Sequence, residues 1–262
     1  MKKLFPLIAL ALCALAVFSC VSARLGRQKQ IESFYKSVQD SDRYEIPFCP
    51  PKNSGQILER TAYVLCYNES MEQADWAAYV LDAAKLEKNV KRSNDFRPDF
   101  EVSSGSASLE DYRRSGYDRG HLVPAGDMAY NAKTMSETFL LSNMSPQPHA
   151  FNEGVWNSLE QYVRSLAKKG GRVYVATGPV FEKKVYPTIG ANKVAVPEYF
   201  YKALLLEEGG EFKMEAYVIP AKAGKEDFRK YRVSVDEIEK RTGIDFFYLL
   251  DDEIENRLEA AK

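Results

Sequence analysis

Residues that could perform proton-transfer chemistry are concentrated in the segment 117–128, which reads YDRGHLVPAGDM. His121 is one of two histidines in the chain, and the ordinary pKa of histidine, about 6.5, lets it exchange a proton near neutral pH. Gly120 permits an unusual turn or the close approach of a ligand, and Arg119 carries a planar fork of donors suited to phosphate. Taken alone, this segment is also compatible with a satisfied polar cluster that has no catalytic role.

Two further motifs follow in order. Residues 142–147 read SNMSPQ, and Asn152, Trp156 and Glu160 then recur at intervals of four. Together with D-R-G-H at 118–121, these ordered motifs closely resemble the DNA/RNA non-specific endonuclease family. The resemblance covers roughly residues 57–250, which is most of the chain after its N-terminal segment.

The resemblance implies a site for phosphodiester hydrolysis built on a ββα-metal motif. In such a site His121 would be the general base, and Asn152 would be the sole direct protein ligand of a Mg²⁺ ion, for which Mn²⁺ is a possible substitute. Glu160 would hold one of the metal-bound waters from the outer shell. The ion would bridge a phosphate oxygen and the leaving 3′ oxygen, so that products carry a 5′ phosphate.

The resemblance also implies residues that bind the phosphate and support the site. Arg119 and an arginine from the basic loop 91–99 would neutralise the phosphate. Arg92 matches the family pattern better than Arg97, although one extra residue separates it from the following aromatic. Asp118 would brace the loop, and Asn143 would hold the site together by hydrogen bonds across the second strand.

The sequence pattern predicts the elements that position these residues. One strand ends at residues 120–121, a long loop carries residues 122–137, a second strand runs from about 139 to 142, and Asn152 opens a helix that continues to Ala167. Steps of four drift by about 40° on a helix, so Asn152, Trp156 and Glu160 would share one face, with the tryptophan in the core. The alternative is an ordinary helix cap at 152, a solvated residue at 160 and a turn residue at 143.

Elsewhere the pattern predicts strands over residues 60–68, 172–179, 199–206 and 211–219, with a hairpin at 209–210. Residues 76–86 are alanine-rich, which favours a helix, whereas the resemblance favours a strand, which we follow. Ser234 and Glu237 form a capping box for a helix that stops at Gly243. We therefore expect one α+β domain over residues 45–252, with a central antiparallel sheet, a tether over 24–44 (helical near 30–38) and a C-terminal tail over 253–262.

Residues 1–23 have the pattern of a targeting segment, with two lysines followed by an apolar run too short to predict a membrane span. Two endings are open: cleavage after the small residues 21–23, or a loose bacterial lipobox that leaves Cys20 lipidated and attached to a membrane. Either ending predicts a periplasmic, secreted or lipid-anchored protein. In that compartment Cys49 and Cys66 could pair, although Cys66 could also be a small buried hydrophobe.

Composition and missing motifs exclude several classes. The formal net charge is −1, and the chain beyond residue 23 has 34 basic and 37 acidic residues, so no basic surplus supports passive nucleic-acid binding. The sequence has no G-x-S-x-G, H-E-x-x-H, P-loop or dinucleotide fingerprint. With two histidines and no C-x-x-C, a zinc site is improbable.

The expected partner is DNA, RNA or both, and homodimerisation stays open. One rival interpretation is a catalytically idle, nucleic-acid-binding surface lipoprotein on the same scaffold. A second is a hydrolase of another class in which His121 and Asp118 assist a serine, and the missing nucleophile motif weakens it.

Overall fold

The computed structural model describes residues 25–26, 28–39, 41–48 and 55–262. The expected targeting segment, including Cys20, lies outside these residues. Cys49 also lies outside them, so the proposed bond between Cys49 and Cys66 is not described. Within the described ranges, no helix combines the length and the apolar character that crossing a membrane would require.

The strands are, in chain order, β1 (Gln56–Glu59), β2 (Tyr63–Asn68), β3 (Gln73–Leu81), β4 (Asp118–His121), β5 (Met144–Gln147), β6 (Arg172–Val180), β7 (Thr188–Ile189), β8 (Val194–Ala195), β9 (Tyr199–Glu208), β10 (Glu211–Pro220) and β11 (Arg232–Val233). Seven of them form a central sheet in the order β1-β2-β3-β6-β9-β10-β11. Every neighbouring pair in this sheet is antiparallel. The predicted α+β class with a central antiparallel sheet is confirmed.

The helices are α1 (residues 28–39), α2 (Leu109–Tyr112), α3 (Ala132–Glu137), α4 (His149–Phe151), α5 (Asn157–Lys168), α6 (Val235–Thr242) and α7 (Asp252–Glu259). A π-helical segment, Asn152–Trp156, joins α4 to α5. Short 3₁₀ turns occupy Ala84–Leu86, Ala125–Asp127, Leu141–Asn143 and Phe228–Tyr231.

Two apolar layers cover the two faces of the central sheet. On one face, Leu159 and Val163 of α5 pack with sheet residues such as Leu204. On the other face, the side chains of α1, α6 and the C-terminal region pack against the alternate sheet residues, among them Trp76 and Leu205. This alternation is the period of two that a strand imposes, and it explains why the alanine-rich residues after 73 form strand β3 rather than a helix.

The expected tether needs correction. Residues 28–39 form helix α1, as the helical stretch predicted, but Phe34 and Val38 are buried in the core, so this segment belongs to the domain. The expected C-terminal tail is also wrong, because residues 253–259 lie in helix α7 and Leu258 packs against the same apolar layer. Both segments contribute apolar side chains to the core, which their largely polar composition did not indicate.

The start and end predicted for α6 are confirmed, but only one half of the predicted capping box is shown. The hydroxyl of Ser234 accepts the N–H of Glu237, and Gly243 follows the last residue of the helix. The carboxylate of Glu237 accepts a hydrogen bond from Nε of Arg241. Strands β9 and β10 pair residue by residue around the predicted hairpin, from Glu208 opposite Glu211 to Tyr199 opposite Pro220.

Candidate active site

Strands β4 and β5 form a two-stranded antiparallel ribbon that carries D-R-G-H. His121 lies opposite Met144, and Gly120 lies opposite Ser145. A Cβ atom on Gly120 would overlap the buried side chain of Gln147, so it is a protein side chain that approaches this glycine. The second strand therefore begins at Met144, and the expected strand over residues 139–142 is wrong.

Asn143 explains why residues 139–142 do not extend. It is completely buried, and its Nδ2 donates to the carbonyl oxygens of Val123 (3.0 Å) and Thr138 (2.9 Å). Its Oδ1 accepts the N–H of Val123 at 2.9 Å. These bonds close a turn before β5 and fasten the loop that follows His121.

The helix that carries Asn152 begins earlier than the sequence indicated, because α4 starts at His149. Asn152 is thus not the N-terminal cap of the helix. The π-helical segment contains a kink at Gly154 (φ −97°, ψ −108°), where the N–H of Val155 donates to the carbonyl of Gly224 at 2.8 Å. A Cβ atom at Gly154 would lie 2.6 Å from that carbonyl oxygen, so this backbone contact requires a glycine.

Most of the predicted site residues line one cleft with a volume of about 490 Å³, namely Arg92, Arg119, His121, Asn152 and Glu160, together with Arg164. Asp118 adjoins the cleft through Asn152, and Asn143 lies beneath the loop behind His121. Residues far apart in the sequence therefore meet across one concave surface.

Two phenylalanine rings pack against the ring of His121. Phe139 and Phe96 contact it in T-shaped geometry, with centroids 5.0 and 5.8 Å away. Its Nε2 is buried and has no hydrogen-bond partner in the described part of the chain. Burial, with the positive charges of Arg92 and Arg119, lowers the pKa of His121 to about 3, so the imidazole is neutral at neutral pH.

Asp118 joins two side chains of the α4 region. Its Oδ2 accepts the Asn152 amide N–H at 3.0 Å and lies 2.9 Å from Nδ1 of His149. The Nε2 of His149 also lies 3.2 Å from a carboxylate oxygen of Glu153, and both partners raise the pKa of this exposed histidine, Asp118 more strongly. The sequence assigned His149 no role, although its position one helical turn before Asn152 could have drawn attention to it.

Glu160 is not a solvated helix residue. Its carboxylate accepts a hydrogen bond from Nη2 of Arg164 at 3.2 Å, and Nε of Arg164 donates to the buried Asp127. The hydroxyl of Tyr79 donates to the other oxygen of Asp127 at 2.8 Å. Burial raises the pKa of Glu160 against the opposing charge of Arg164. Sequence reasoning missed Arg164, although its i,i+4 spacing from Glu160 is a recognisable signal.

Two arginines of the cleft rest on the aromatic pair beside His121. The guanidinium of Arg92 lies 4.8 Å from the centre of the Phe139 ring, and that of Arg119 lies 4.3 Å from the centre of the Phe96 ring. Arg97 is engaged elsewhere, since its Nη1 donates to the side chain of Asp95 and the carbonyl of Ser136. The geometry therefore favours Arg92 over Arg97 as the second arginine of the cleft.

Comparison with known proteins identifies the family of this chain. Residues 40–253 match the DNA/RNA non-specific endonuclease family. The chain belongs to that family. It is 38% identical to human mitochondrial endonuclease G over 205 residues, which cover 73% of this chain and 69% of the human protein. It is 37% identical over 226 residues to nuclease C1 of Cunninghamella echinulata, covering 79% of this chain and 88% of that one.

A solved structure gives the same result for the fold. The endonuclease G chain from a complex of EndoG with EndoGI superposes with a TM-score of 0.70 at 36% identity, covering 74% of this chain and 86% of that chain. This member of the DNA/RNA non-specific endonuclease family is therefore a nuclease, an enzyme that hydrolyses phosphodiester bonds of nucleic acid. The family is metal-dependent.

Proposed function

We propose that this chain is a magnesium-dependent endonuclease in which His121 activates the attacking water and Asn152 binds the metal, so that cleavage leaves a 5′ phosphate. The observation that carries the proposal is that His121, Asn152 and Glu160 line one cleft together with two arginines. Phosphodiester hydrolysis needs an activated water, stabilisation of charge at phosphorus and help for the departing oxygen. The cleft contains side chains suited to each task.

His121 has the properties of a general base. A base must be unprotonated before turnover, and the low pKa of this ring, about 3, keeps it neutral. Since Nε2 is buried without a partner among the described residues, Nδ1 is the nitrogen that would take the proton of a water. A bound phosphate would offset the charge of the neighbouring Arg92 and Arg119 and so raise the proton affinity of the ring when it is needed.

The donor set of the cleft fits a hard divalent cation. Because Nδ2 of Asn152 donates to Asp118, the carbonyl oxygen of the amide is the atom left for a cation, and Mg²⁺ prefers oxygen ligands. In the described ranges, the one cluster of three acidic side chains at metal-binding spacing lies outside the cleft, at Asp236, Glu239 and Glu259. A single protein ligand suits magnesium, which releases its waters reluctantly, and Mn²⁺ is a plausible substitute.

The remaining residues of the cleft have supporting roles in this proposal. When bound, the ion would supply positive charge to the phosphate and the departing 3′ oxygen, and Glu160 would hold one of its waters. Arg92 and Arg119 would neutralise the phosphate, and their contacts with Phe139 and Phe96 hold both guanidinium groups in place before substrate arrives. Asp118 and Asn143 would position the metal ligand and the loop after His121.

Such a site would cleave with little sequence preference, because contacts to the sugar-phosphate backbone carry no base information. DNA, RNA or both are candidate substrates, and tolerance of the 2′ hydroxyl decides between them.

A nicking assay tests the proposal. Supercoiled plasmid, single-stranded DNA and RNA are incubated with the purified chain and Mg²⁺, with and without EDTA, and the products are tested for a ligatable 5′ phosphate. We expect cleavage that EDTA abolishes and that restored Mg²⁺ recovers. Binding without cleavage in Mg²⁺ would favour the catalytically idle, nucleic-acid-binding lipoprotein. Two features argue against that alternative: the net charge is acidic, and chemically competent side chains occupy every proposed catalytic position of the cleft.

The proposal extends to the place of action, which would be outside the cytoplasm, with the chain either released or anchored through a lipid on Cys20. The support is the charged start and the apolar run of residues 1–23. Metabolic labelling with a palmitate analogue, with Cys20→Ser as the control, separates the two endings. Sedimentation of the purified chain tests the homodimer that the sequence left open.

A further inference from the structure

Lys202 is a charged residue in the apolar core. It lies on β9, an interior strand of the central sheet, with no exposed surface. Because side chains alternate along a strand, it shares its face with Phe200 and Leu204, the face that α5 covers. Its Nζ lies 4.7 Å from the centre of the Trp156 ring and has no hydrogen-bond partner in the described part of the chain. A buried ammonium of this kind is costly, so other charges must stabilise it.

Two carboxylates provide that stabilisation. Glu160 and Asp127 favour the charged form of Lys202, whereas burial, the largest effect, lowers its pKa to about 8. Both carboxylates are also bound to Arg164, which they share. These four side chains, which we call the buried charge cluster (Asp127, Glu160, Arg164 and Lys202), carry two negative and two positive charges when all are ionised.

Glu160 is the carboxylate of this cluster that lines the cleft. Burial raises its pKa, and the positive charges of Arg164 and Lys202 oppose that rise. If the Lys202 charge were absent, the cluster would hold an uncompensated buried negative charge, which protonation of Glu160 would relieve. A protonated carboxyl group loses acceptor capacity, so it would hold the waters around a cation less well.

We propose that Lys202 is a positioning residue for the reaction: its buried ammonium, seated on the ring of Trp156, keeps Glu160 ionised without touching substrate or metal. The inference rests on the proposed function, because it assumes that Glu160 holds a metal-bound water. It also gives Trp156 a role besides packing in the core. The ring of Trp156 contacts the Lys202 ammonium, whose charge balances Glu160 four residues further along the chain.

Lys202→Met tests the proposal, since methionine keeps an unbranched side chain against Trp156 but removes the charge. Mn²⁺ binding without nucleic acid is measured by electron paramagnetic resonance, and the half-saturating Mg²⁺ concentration and KM for DNA are measured in the nicking assay. We expect Mn²⁺ binding to weaken by about 10- to 100-fold and the Mg²⁺ requirement to rise in proportion, with KM for DNA unchanged at saturating Mg²⁺. The double variant Lys202→Met/Glu160→Gln should bind Mn²⁺ no more weakly than Glu160→Gln alone.

Thr177→Val is the matched control. Thr177 is buried on β6 directly opposite Lys202, so this change perturbs the same layer without altering charge, and we expect wild-type Mn²⁺ affinity. Wild-type affinity in Lys202→Met, equal weakening in Thr177→Val, or losses that add in the double variant would each overturn the inference.

The charge balance also makes the proposal testable if Lys202→Met does not fold. The double variant removes one charge of each sign, so it should recover cooperative thermal unfolding, and failure to recover would count against the coupling of Lys202 to Glu160. A wild-type chain that cleaves without a divalent cation would refute the proposed function itself. If the wild type cleaves only with a metal and Lys202→Met has the same metal requirement and activity, the role of Lys202 is refuted and the proposed function stands.

Discussion

The Asn152 amide donates through Nδ2 to the Asp118 carboxylate at 3.0 Å. This contact connects strand β4 to the π-helical segment and fixes the orientation of the Asn152 side chain. With the nitrogen committed to Asp118, the carbonyl oxygen remains for a cation, which no amide nitrogen could bind. In the proposed mechanism Asp118 therefore orients Asn152 as the metal ligand, although the two residues lie in different motifs of the sequence.

Asp118→Ala should therefore weaken metal use more than folding. We expect the half-saturating Mg²⁺ concentration to rise by about 10- to 100-fold, as for other partners that orient a metal ligand. Asp118 is partly exposed, so its loss should change the melting temperature little. The nicking assay over a Mg²⁺ series gives the first quantity and circular dichroism the second. An unaltered Mg²⁺ requirement would show that Asn152 needs no such orientation.

His121→Ala should remove the general base while the fold persists. We expect kcat/KM to fall by at least about 10²- to 10⁴-fold, with a cooperative unfolding transition retained. His149→Ala is the control, because that exposed histidine contacts Asp118 but does not line the cleft, and it should lose less than tenfold (an order-of-magnitude expectation). Normal turnover in His121→Ala would refute the assignment of the base.

The features predictable from the sequence are those that depend on near neighbours. Alternating apolar residues rich in β-formers indicated strand β2, and a serine three residues before a glutamate indicated the start of α6. The motifs identified Arg119, His121, Asn152 and Glu160 of the cleft but not Arg164, and their resemblance to a family supplied roles that no spacing alone could give.

The features that could not be predicted depend on contacts between distant segments. The kink at Gly154 exists because the carbonyl of Gly224 receives the Val155 N–H, and nothing near residue 154 encodes that partner. Asn143 likewise turns the chain by bonding to Val123 and Thr138 instead of extending a strand. Lys202 interrupts an apolar strand, and only the folded sheet shows which carboxylates balance it.

The acid limb of the pH profile follows from the environment of His121. Burial and two neighbouring arginines lower its pKa to about 3, and a general base is active when it is deprotonated. Activity should therefore persist as the pH falls through 6.5 and should be lost only at more acidic pH. The profile of kcat/KM, which reports the free enzyme, checks this at saturating Mg²⁺. Half-maximal kcat/KM near pH 6.5 would indicate a solvated, unperturbed imidazole.

Arg164 should be important for stability as well as for the cleft. It is the cation shared by Asp127 and Glu160, so Arg164→Met leaves two buried carboxylates with one partner fewer. We expect a loss of about 3–5 kcal/mol in the free energy of unfolding, measured by urea denaturation at neutral pH. Arg229→Met is the control, because its pair with Asp227 is exposed, and little change is expected there. A small effect at both positions would show that the cluster is solvated.

Gly154→Ala should lower the stability of the protein and raise its Mg²⁺ requirement. A Cβ atom there would lie 2.6 Å from the Gly224 carbonyl oxygen, so the two segments must separate and the Val155 N–H loses its acceptor. We expect destabilisation of about 1–3 kcal/mol, typical of overpacking, and a higher Mg²⁺ requirement, because Asn152 lies two residues away on the same segment. Gly224→Ala is the matched control, since open space surrounds a Cβ atom at that position. Urea denaturation and Mg²⁺ titration on both variants measure the difference, and equal behaviour of the two would show that the contact does not position Asn152.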